Sequence, residues 1–267
     1  MVKYRCMKIG ISTSTFFNTV ASEGVFDLLR NMRADTSEVC LNTFSEYEKT
    51  FVDKLAQYRG AVDVSAVSPL STQFEPQLFS PNIRVRADAE LLFKKVCYAC
   101  FALGAKYYTF RGQANLSGKK DFDYTRTAQR YAQLADIAAG YGVSLSLKNM
   151  SWSHAATPAY FKQLFEVCPR LFATFDLYHA ESAGYDIREF LDVVPPQRVS
   201  LIEVADCLKD KWCLPGRGKY RFDKLFYDLE RRKIIAPVLL AVRSDSYTDF
   251  IQVRDAFEYL VATYKGQ

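Results

Sequence analysis

The chain has few histidines, no cysteine framework and no long apolar run. Two histidines in 267 residues are too few for a histidine-rich cluster of several metal ions. The seven cysteines are an odd number, and their spacing matches neither paired disulfides nor a tetrahedral zinc site, which favours reduced thiols. No run approaches the ~18 apolar residues of a membrane span. Because the polar residues 12–15 interrupt the first apolar stretch before a signal peptide could form, we expect a cytoplasmic protein without membrane contact.

A large excess of charge of one sign is also absent. Thirty-five Lys and Arg against 30 Asp and Glu give a net charge of +5. The pI of about 8.7 lies below the value of ~9 that is typical of nucleic-acid-binding domains, so no nucleic-acid partner is expected. Hydrophobic residues make up 49% of the chain, which is enough for a large core. The length of 267 residues is close to the ~250 of one α/β barrel.

Apolar runs of strand length alternate with segments of helix length, which indicates parallel strands wrapped by helices. The predicted strands are Met7–Ser12, Ser37–Asn42, Val62–Val67, Lys106–Phe110, Val143–Lys148, Leu171–Asp176, Val199–Val204 and Val238–Val242. The clearest predicted helices are Ala87–Leu103, Tyr124–Ala139 and Tyr247–Tyr264. Gly104 and Gly140 are placed to end two of these helices in a left-handed conformation. The eight units predict an α/β fold, a single (β/α)8 TIM barrel with eight parallel strands that forms one domain over residues 1–267.

Active sites of such barrels lie at the C-terminal ends of the strands. The residues at or just past the predicted strand ends are polar and carry both signs of charge: Ser12, Cys40, Asn42, Ser68, Arg111, Lys148, Asn149, Asp176, His179, Glu203, Asp206 and Arg243. Any one of them alone is better explained by contact with water than by a function. So many polar strand ends at one rim indicate a binding site.

Three segments also carry a family resemblance, namely SLSLKNMSW (Ser144–Trp152), ATFDLYHA (Ala173–Ala180) and VSLIEVADCLKDKWCLPGRG (Val199–Gly218). The first resembles the fifth-strand Leu-Glu-Asn motif of the xylose isomerase-like TIM barrels. The others are similar to the sixth-strand Asp-x-x-His motif and to the seventh-strand His-x-x-Asp motif with its Pro-Gly-x-Gly loop. This superfamily contains sugar and sugar-phosphate isomerases and epimerases, and also endonuclease IV. The resemblance therefore implies a TIM barrel and isomerase or epimerase chemistry.

The resemblance does not extend to the metal ligands of the family. Active members hold a divalent metal ion with a Glu on strand five, an Asp on strand six, a His on strand seven and a Glu on strand eight. The matching positions here are Lys148, Asp176, Glu203 and Ala241, so only the Asp is kept. Endonuclease chemistry in this family needs a histidine-rich cluster of several metals, and two histidines argue against it.

An ammonium has three donors and no acceptor, so Lys148 cannot act as a metal ligand unless it loses its proton. We expect its ammonium to fill the position of the missing cation and to pair with Asp176, because a buried carboxylate without a partner is costly. In an active enzyme Lys148 would be the electrophile, Glu203 the base and Asp176 the residue that orients Lys148. No cofactor is predicted. The alternative is a residual Mn or Zn site at Asp176, His179 and Glu203, whose N and O donors suit those metals.

The predicted mouth of the barrel is basic. Arg111 and Arg243 join Lys148 there, and Arg217 lies in the Pro-Gly-Arg-Gly loop. The backbone N–H groups of Gly216 and Gly218 are predicted to approach a ligand, because loops after strands seven and eight form the usual phosphate site of this fold. A solvated turn is the alternative interpretation of this loop. The remaining predicted substrate-binding residues are His179, Asp206 and Trp212.

Two functions follow from these observations. The first is a sugar or sugar-phosphate isomerase or epimerase that acts on a small, anionic carbohydrate without the metal ligands of the family. The second is a catalytically inactive carbohydrate-binding or regulatory pseudoenzyme of the same fold, which the replaced ligands favour. Both functions imply a small-molecule carbohydrate as the ligand. The sequence leaves open whether the chain forms a homo-oligomer.

Overall fold

The computed structural model describes residues 7–115, 123–209 and 211–266. Its strands in chain order are β1 (Ile9–Ser12), β2 (Ser37–Leu41), β3 (Val64–Pro69), β4 (Tyr107–Phe110), β5 (Ser144–Lys148), β6 (Phe172–Asp176), β7 (Val199–Val204), β8 (Asp206–Leu208), β9 (Lys211–Cys213) and β10 (Val238–Leu240). Eight of these strands form a closed parallel barrel in the order β1-β10-β7-β6-β5-β4-β3-β2. The remaining two, β8 and β9, form an antiparallel hairpin. The predicted eight-stranded TIM barrel is confirmed.

Helices follow the barrel strands and cover the outside. In chain order they are α1 (Val25–Asn31), α2 (Lys49–Arg59), α3 (Ile83–Leu103), α4 (Tyr124–Ala139), α5 (Pro158–Val167), α6 (Leu177–Ser182), α7 (Ile187–Val193), α8 (Phe222–Arg231) and α9 (Phe250–Lys265). Their apolar residues recur with helical spacing and face the sheet, as α8 shows with the buried residues Phe222, Leu225, Phe226 and Leu229. Burying each of these side chains contributes about 1.5–3 kcal/mol. No helix in the described ranges is long and apolar enough to cross a membrane.

The predicted helix boundaries agree with the structure apart from small shifts. The α4 helix has the predicted bounds, whereas α3 begins earlier because the Asn82 side chain accepts the backbone N–H of Arg84 and caps the helix. Gly104 is left-handed with φ +71°, as predicted. The prediction for Gly140 is wrong, since its φ is −60°. Its N–H still donates to the Asp136 carbonyl, and the left-handed residue is Gly142 with φ +74°.

Side chains inside the barrel are arranged in layers that place the site. Ser146 and Thr174 lie two residues before the ends of β5 and β6, so they face the same way as those ends one layer deeper. Their hydroxyls bond to each other at 2.8 Å and both bond to the Ser200 hydroxyl. A separate apolar group is formed by Ala66, Tyr107, Leu201 and Leu239. The packed and hydrogen-bonded side chains of these layers therefore support the residues at the strand ends.

Candidate active site

Lys148, Asp176 and Glu203 form a cluster of ion pairs inside the barrel. Lys148 ends β5 and Asp176 ends β6, while Glu203 lies on β7 next to Asp176 in the strand register. The Lys148 Nζ lies 2.8 Å from Asp176 Oδ2 and 2.8 Å from Glu203 Oε2. The predicted pairing of Lys148 with Asp176 is thus present, and Glu203 shares the same ammonium.

The members of this cluster alter one another's protonation. Burial lowers the pKa of Lys148, but the negative charges of Asp176 and Glu203 raise it by more than burial lowers it. The pKa of Lys148 therefore lies above its ordinary value, and the amine stays charged. Burial raises the pKa of Asp176, and the opposing effect of Lys148 brings it below the ordinary value. Burial also raises the pKa of Glu203, and Glu38 and Asp176 raise it further against the effect of Lys148. Glu203 therefore takes up a proton more readily than an ordinary glutamate.

Glu38 is a further acidic residue of the site, and the sequence analysis missed it. It lies on β2 with 2% of its surface exposed, and its Oε2 accepts the Ser12 hydroxyl at 2.9 Å. Among the residues that the structure describes, neither its buried Oε1 nor that of Glu203 has a hydrogen-bond partner. Burial raises the pKa of the neighbouring Cys40 thiol to about 12, with a further contribution from Glu38. A glutamate two residues before Cys40 on a buried strand was the signal in the sequence, because alternate residues share a face.

His179 stands beside the cluster as a neutral imidazole. The Asp176 side chain accepts the His179 backbone N–H and caps α6, which fixes the start of the helix that carries His179. The Ser151 backbone N–H donates to His179 Nδ1 at 3.4 Å, so the ring proton is on Nε2, which lies 4.0 Å from Asp176 Oδ2. Burial lowers the pKa of His179 to about 4. His179 therefore presents a neutral N–H donor at physiological pH.

A cavity of about 520 Å³ opens onto these groups. Its lining joins the charged cluster and His179 to aromatic and small residues: Phe17, Tyr178, Trp212 and Ala241. The rings of Tyr178 and Trp212 meet edge to face with centroids 4.8 Å apart. The predicted residue Trp212 therefore lies at the cavity, as do Lys148, Asp176, His179, Glu203 and Arg243. A site of this size, with a few polar groups and aromatic walls, suits a small ligand.

The predicted ligand-binding residues Asp206, Gly216 and Gly218 bond to one another, and none of them lines the cavity. The Asp206 carboxylate is buried and accepts the backbone N–H groups of Gly216 at 3.0 Å, Gly218 at 2.9 Å and Tyr220 at 2.9 Å. These N–H groups therefore already donate to the carboxylate of Asp206. A Cβ at Gly218 would lie 2.1 Å from Asp206 Oδ1, so this position needs glycine for the loop itself.

The arginines predicted at the mouth are engaged elsewhere. Arg111 Nη1 donates to the Leu70 carbonyl at 2.6 Å, and Arg217 is exposed with a contact of 3.4 Å to Gln252. Neither lines the cavity. Arg243 does line it, but its side chain is 73% exposed and pairs with Asp245 at 2.8 Å. The structure therefore does not support a basic mouth that is free to bind an anion.

The donor set does not fit the divalent metal ion of the family. Lys148 places an ammonium between the carboxylates of Asp176 and Glu203, where a metal ion would meet charge repulsion. In residues 7–115, 123–209 and 211–266, no three or more His, Cys, Asp and Glu side chains are arranged to hold a metal ion. The alternative of a residual Mn or Zn site at Asp176, His179 and Glu203 thus finds no support in the geometry.

A second cavity, of about 590 Å³, lies outside the barrel beside the start of α4. None of the predicted site residues lines it. Two of its arginines bond to the chain itself: Arg86 donates to the Ser80 carbonyl, and Arg130 donates to the Leu78 carbonyl and pairs with Glu90. The predicted site residues that line either of these two cavities therefore all line the first one.

Known proteins share both the fold and the sequence pattern. The family model of the xylose isomerase-like TIM barrel matches residues 26–262. No curated protein matches the chain.

Several solved structures are similar to this chain over nearly its whole length. D-psicose 3-epimerase with D-tagatose from Clostridium cellulolyticum has a TM-score of 0.77 at 12% identity, with 97% of this chain and 99% of that chain covered. The IolI protein with a bound zinc atom has a TM-score of 0.78 at 15% identity, with 97% and 99% covered. The 3-keto-D-glucoside 4-epimerase from E. coli has a TM-score of 0.75 at 15% identity, with 96% and 99% covered. At these identities the likeness is one of fold.

Proposed function

Because the chain belongs to the xylose isomerase-like TIM barrel family, we propose that it is an isomerase or epimerase of a small, uncharged carbohydrate. The observation that carries this proposal is the pairing of a buried ammonium, Lys148, with a buried carboxyl, Glu203, at 2.8 Å beside a cavity of sugar size. Two of the similar structures are sugar epimerases, which supports the same substrate class.

Both reactions begin when a proton leaves the carbon next to a carbonyl group. A base must take this proton while a donor stabilises the charge that develops on the carbonyl oxygen. Glu203 is the base, and its raised pKa suits a group that accepts a proton and later returns it. The Lys148 ammonium donates to the oxygen, and Asp176 keeps this ammonium charged and in place. Returning this proton from Glu203 to the neighbouring carbon, while the hydroxyl on the first carbon passes its proton to the former carbonyl oxygen, completes isomerisation. Epimerisation requires a proton on the opposite face, which a donor other than Glu203 must deliver.

The remaining groups at the cavity suit the hydroxyls and the faces of a sugar. His179 offers a neutral Nε2–H donor, because Ser151 occupies its other ring nitrogen. The rings of Tyr178 and Trp212 offer apolar surface for the carbon-bound hydrogens of a sugar.

The charges favour an uncharged substrate over the anionic one expected from the sequence. Lys148 is shared by two carboxylates, Arg243 pairs with Asp245, and Arg111 bonds to a backbone carbonyl. A sugar phosphate would meet no unshared cation among the described residues that line the cavity.

The alternative function is a carbohydrate-binding protein without catalysis. The ion pairs of Lys148 with Asp176 and Glu203 favour it, because these groups satisfy one another without a substrate. The cavity and its aromatic wall would remain useful for binding alone.

Solvent exchange separates these functions. The protein is incubated in deuterated water with free ketoses and with their phosphates, and NMR follows deuterium at the carbon next to the carbonyl. We expect exchange with at least one free ketose, loss of exchange in Glu203→Gln, and full exchange in the matched control Glu166→Gln, which changes an exposed residue of α5. Thermal stabilisation by a sugar without any exchange would instead establish the binding protein. Exchange with phosphates alone would refute the uncharged substrate.

A further inference from the structure

The loop that joins β3 to α3, residues 70–82, contributes to the wall of the cavity. Its first residue, Leu70, lines the cavity together with Lys148 and Asp176. The Leu70 backbone N–H donates to the Leu41 carbonyl at 2.8 Å, which holds this residue to the end of β2. Contacts that hold Leu70 from its other side therefore also help to shape the cavity.

Arg111, the first residue after β4, holds this loop at two points. Its Nη1 donates to the Leu70 carbonyl at 2.6 Å, and its backbone N–H donates to Glu75 Oε2 at 3.0 Å. These bonds join residues that are 41 and 36 positions apart along the chain. The side chain and the backbone of Arg111 thus fasten loop 70–82 to the end of β4.

Glu75 is a buried partner in this pair of contacts. Its surface is 2% exposed, and among the described residues its Oε1 has no hydrogen-bond partner. A carboxylate that is away from water and has a single donor is costly, whereas the protonated carboxyl carries no charge. Burial accordingly raises the pKa of Glu75 from 4.5 to about 7, against the opposing effect of the Arg111 guanidinium. The contact with Arg111 therefore involves a group that changes its charge near neutral pH.

The other ionisable groups that interact with Glu75 stay neutral in this pH range. They are the phenols of Tyr108 on β4, Tyr131 on α4 and Tyr47, and burial raises the pKa of each above its ordinary value. No ionisable group of α3, which also packs against this part of the loop, acts on Glu75 within the described residues. Among those residues, Arg111 is therefore the one charged group that acts on Glu75.

We propose that Glu75 and Arg111 form a latch that positions Leu70 as a wall of the cavity, and that ionisation of Glu75 loosens this latch. In the closed loop an ionised Glu75 keeps one donor, whereas in an open loop water hydrates it. Opening is therefore linked to the loss of a proton. Protonated Glu75 stabilises the closed loop below its ordinary pKa, and this stabilisation is lost as the pH rises towards the pKa of the closed state.

Both residues act on a ligand through Leu70, so they are positioning residues. Their effect on a ligand rests on the proposed function, whereas the movement of the loop does not.

Hydrogen exchange followed by mass spectrometry tests the latch without any sugar. Protection of the peptides that contain Leu70 and Arg111 is measured from pH 5 to pH 8 and corrected for the intrinsic rate of amide exchange. With a pKa of 4.5 in the open loop and about 7 in the closed loop, protection should fall about 40-fold between pH 5 and pH 7. From pH 7 to pH 8 it should fall only about twofold further. Peptides of α9, which packs against α8 and β1, should not follow this profile.

Two variants and a matched control assign the effect to the latch. Glu75→Gln keeps an acceptor for the Arg111 N–H but cannot ionise, so protection of the loop should not change between pH 5 and pH 8. Arg111→Met removes the guanidinium that lowers the pKa of Glu75, so the fall in protection should continue to higher pH. The control Glu166→Gln changes an exposed glutamate of α5 and should keep the wild-type profile.

Several results would overturn the latch. A wild-type loop whose protection does not depend on pH would do so, and this measurement decides even if Glu75→Gln does not fold. An unchanged profile in folded Glu75→Gln, or an equal fall in α9, would also overturn it, because the effect would then be global or would arise from another group.

A second arm uses D-tagatose and D-fructose in the solvent-exchange assay. For a ketose that exchanges, KM should rise between pH 6 and pH 8 by more in the wild type than in Glu75→Gln, because the wall at Leu70 loosens only in the wild type. An equal rise in both proteins would refute the positioning of Leu70. Lack of exchange with every ketose would instead count against the proposed function, and the hydrogen-exchange profile would still decide whether the latch exists.

Discussion

Replacing Lys148 with methionine removes the ammonium from between Asp176 and Glu203 and keeps a long side chain in its place. Removing one partner of a buried ion pair costs about 3–5 kcal/mol, because the other charge is left without compensation. Lys148 is 13% exposed and its partners are 11% and 3% exposed, so water relieves little of this cost. For a chain of this size, each kcal/mol lowers the thermal midpoint by roughly 2–4 °C. We therefore expect the midpoint to fall by about 6–20 °C.

The loss should depend on pH. Without Lys148, which lowers the pKa of Asp176 and of Glu203 in the wild type, both carboxyls in the folded variant have a pKa above the unfolded value. Such groups stabilise the fold below the unfolded pKa, and this contribution is lost as the pH rises through the folded pKa. The difference in stability between variant and wild type should therefore be smaller at pH 5 than at pH 8.

Urea unfolding with EDTA present, at pH 5 and pH 8, measures both effects. The matched control is Lys8→Met, which removes a lysine from an exposed pair with Asp63, where the side chains are 51% and 47% exposed. Such pairs contribute under about 1 kcal/mol. The account of the cluster is refuted if Lys148→Met loses no more stability than Lys8→Met, or loses the same amount at both pH values.

Three more changes have definite outcomes. Gly218→Ala should destabilise the protein in urea by about 2 kcal/mol or more, because the new Cβ would lie 2.1 Å from Asp206 Oδ1; unchanged unfolding would show that the loop yields. Burial raises the pKa of Glu75 to about 7, so Glu75 should contribute a fall in wild-type stability of up to about 3 kcal/mol as the pH rises from 4.5 to 7, and Glu75→Gln should reduce the slope in urea titrations by this contribution. Glu38→Gln removes a charge that raises the pKa of Glu203, so the ¹³C NMR titration of Glu203 should move to lower pH, and an unmoved titration would show that Glu38 does not act on it.

The barrel was predictable because its signal is repeated. Eight apolar runs alternate with eight helical segments, and an error in one unit leaves the others in register. Lys148, Asp176 and Glu203 were found for a related reason, since they lie at or near the ends of predicted strands and parallel strands end on one side of the sheet.

The features of the site that the sequence could not predict depend on hydrogen bonds between residues that are distant along the chain. Glu38 lies before the end of its strand, so a rule about strand ends passes over it. The carboxylate of Asp206 fills a loop formed up to 14 residues later, and Arg111 bonds to the carbonyl of Leu70, which is 41 residues away. Composition and spacing show that a charged residue is present, but only the folded loops show which charged residues already have a hydrogen-bond partner within the chain.

The pairing of β1 with β10 has a consequence for how the molecule comes apart. Ile9 faces Val238 across this seam, so the ring is completed by residues from opposite ends of the sequence. A ring of strands has no edge, and opening it anywhere exposes two rows of unpaired amides and carbonyls at once. Partial unwinding of a single strand is therefore disfavoured. The sheet should lose its protection against hydrogen exchange as one cooperative unit, while the outer helices fray first.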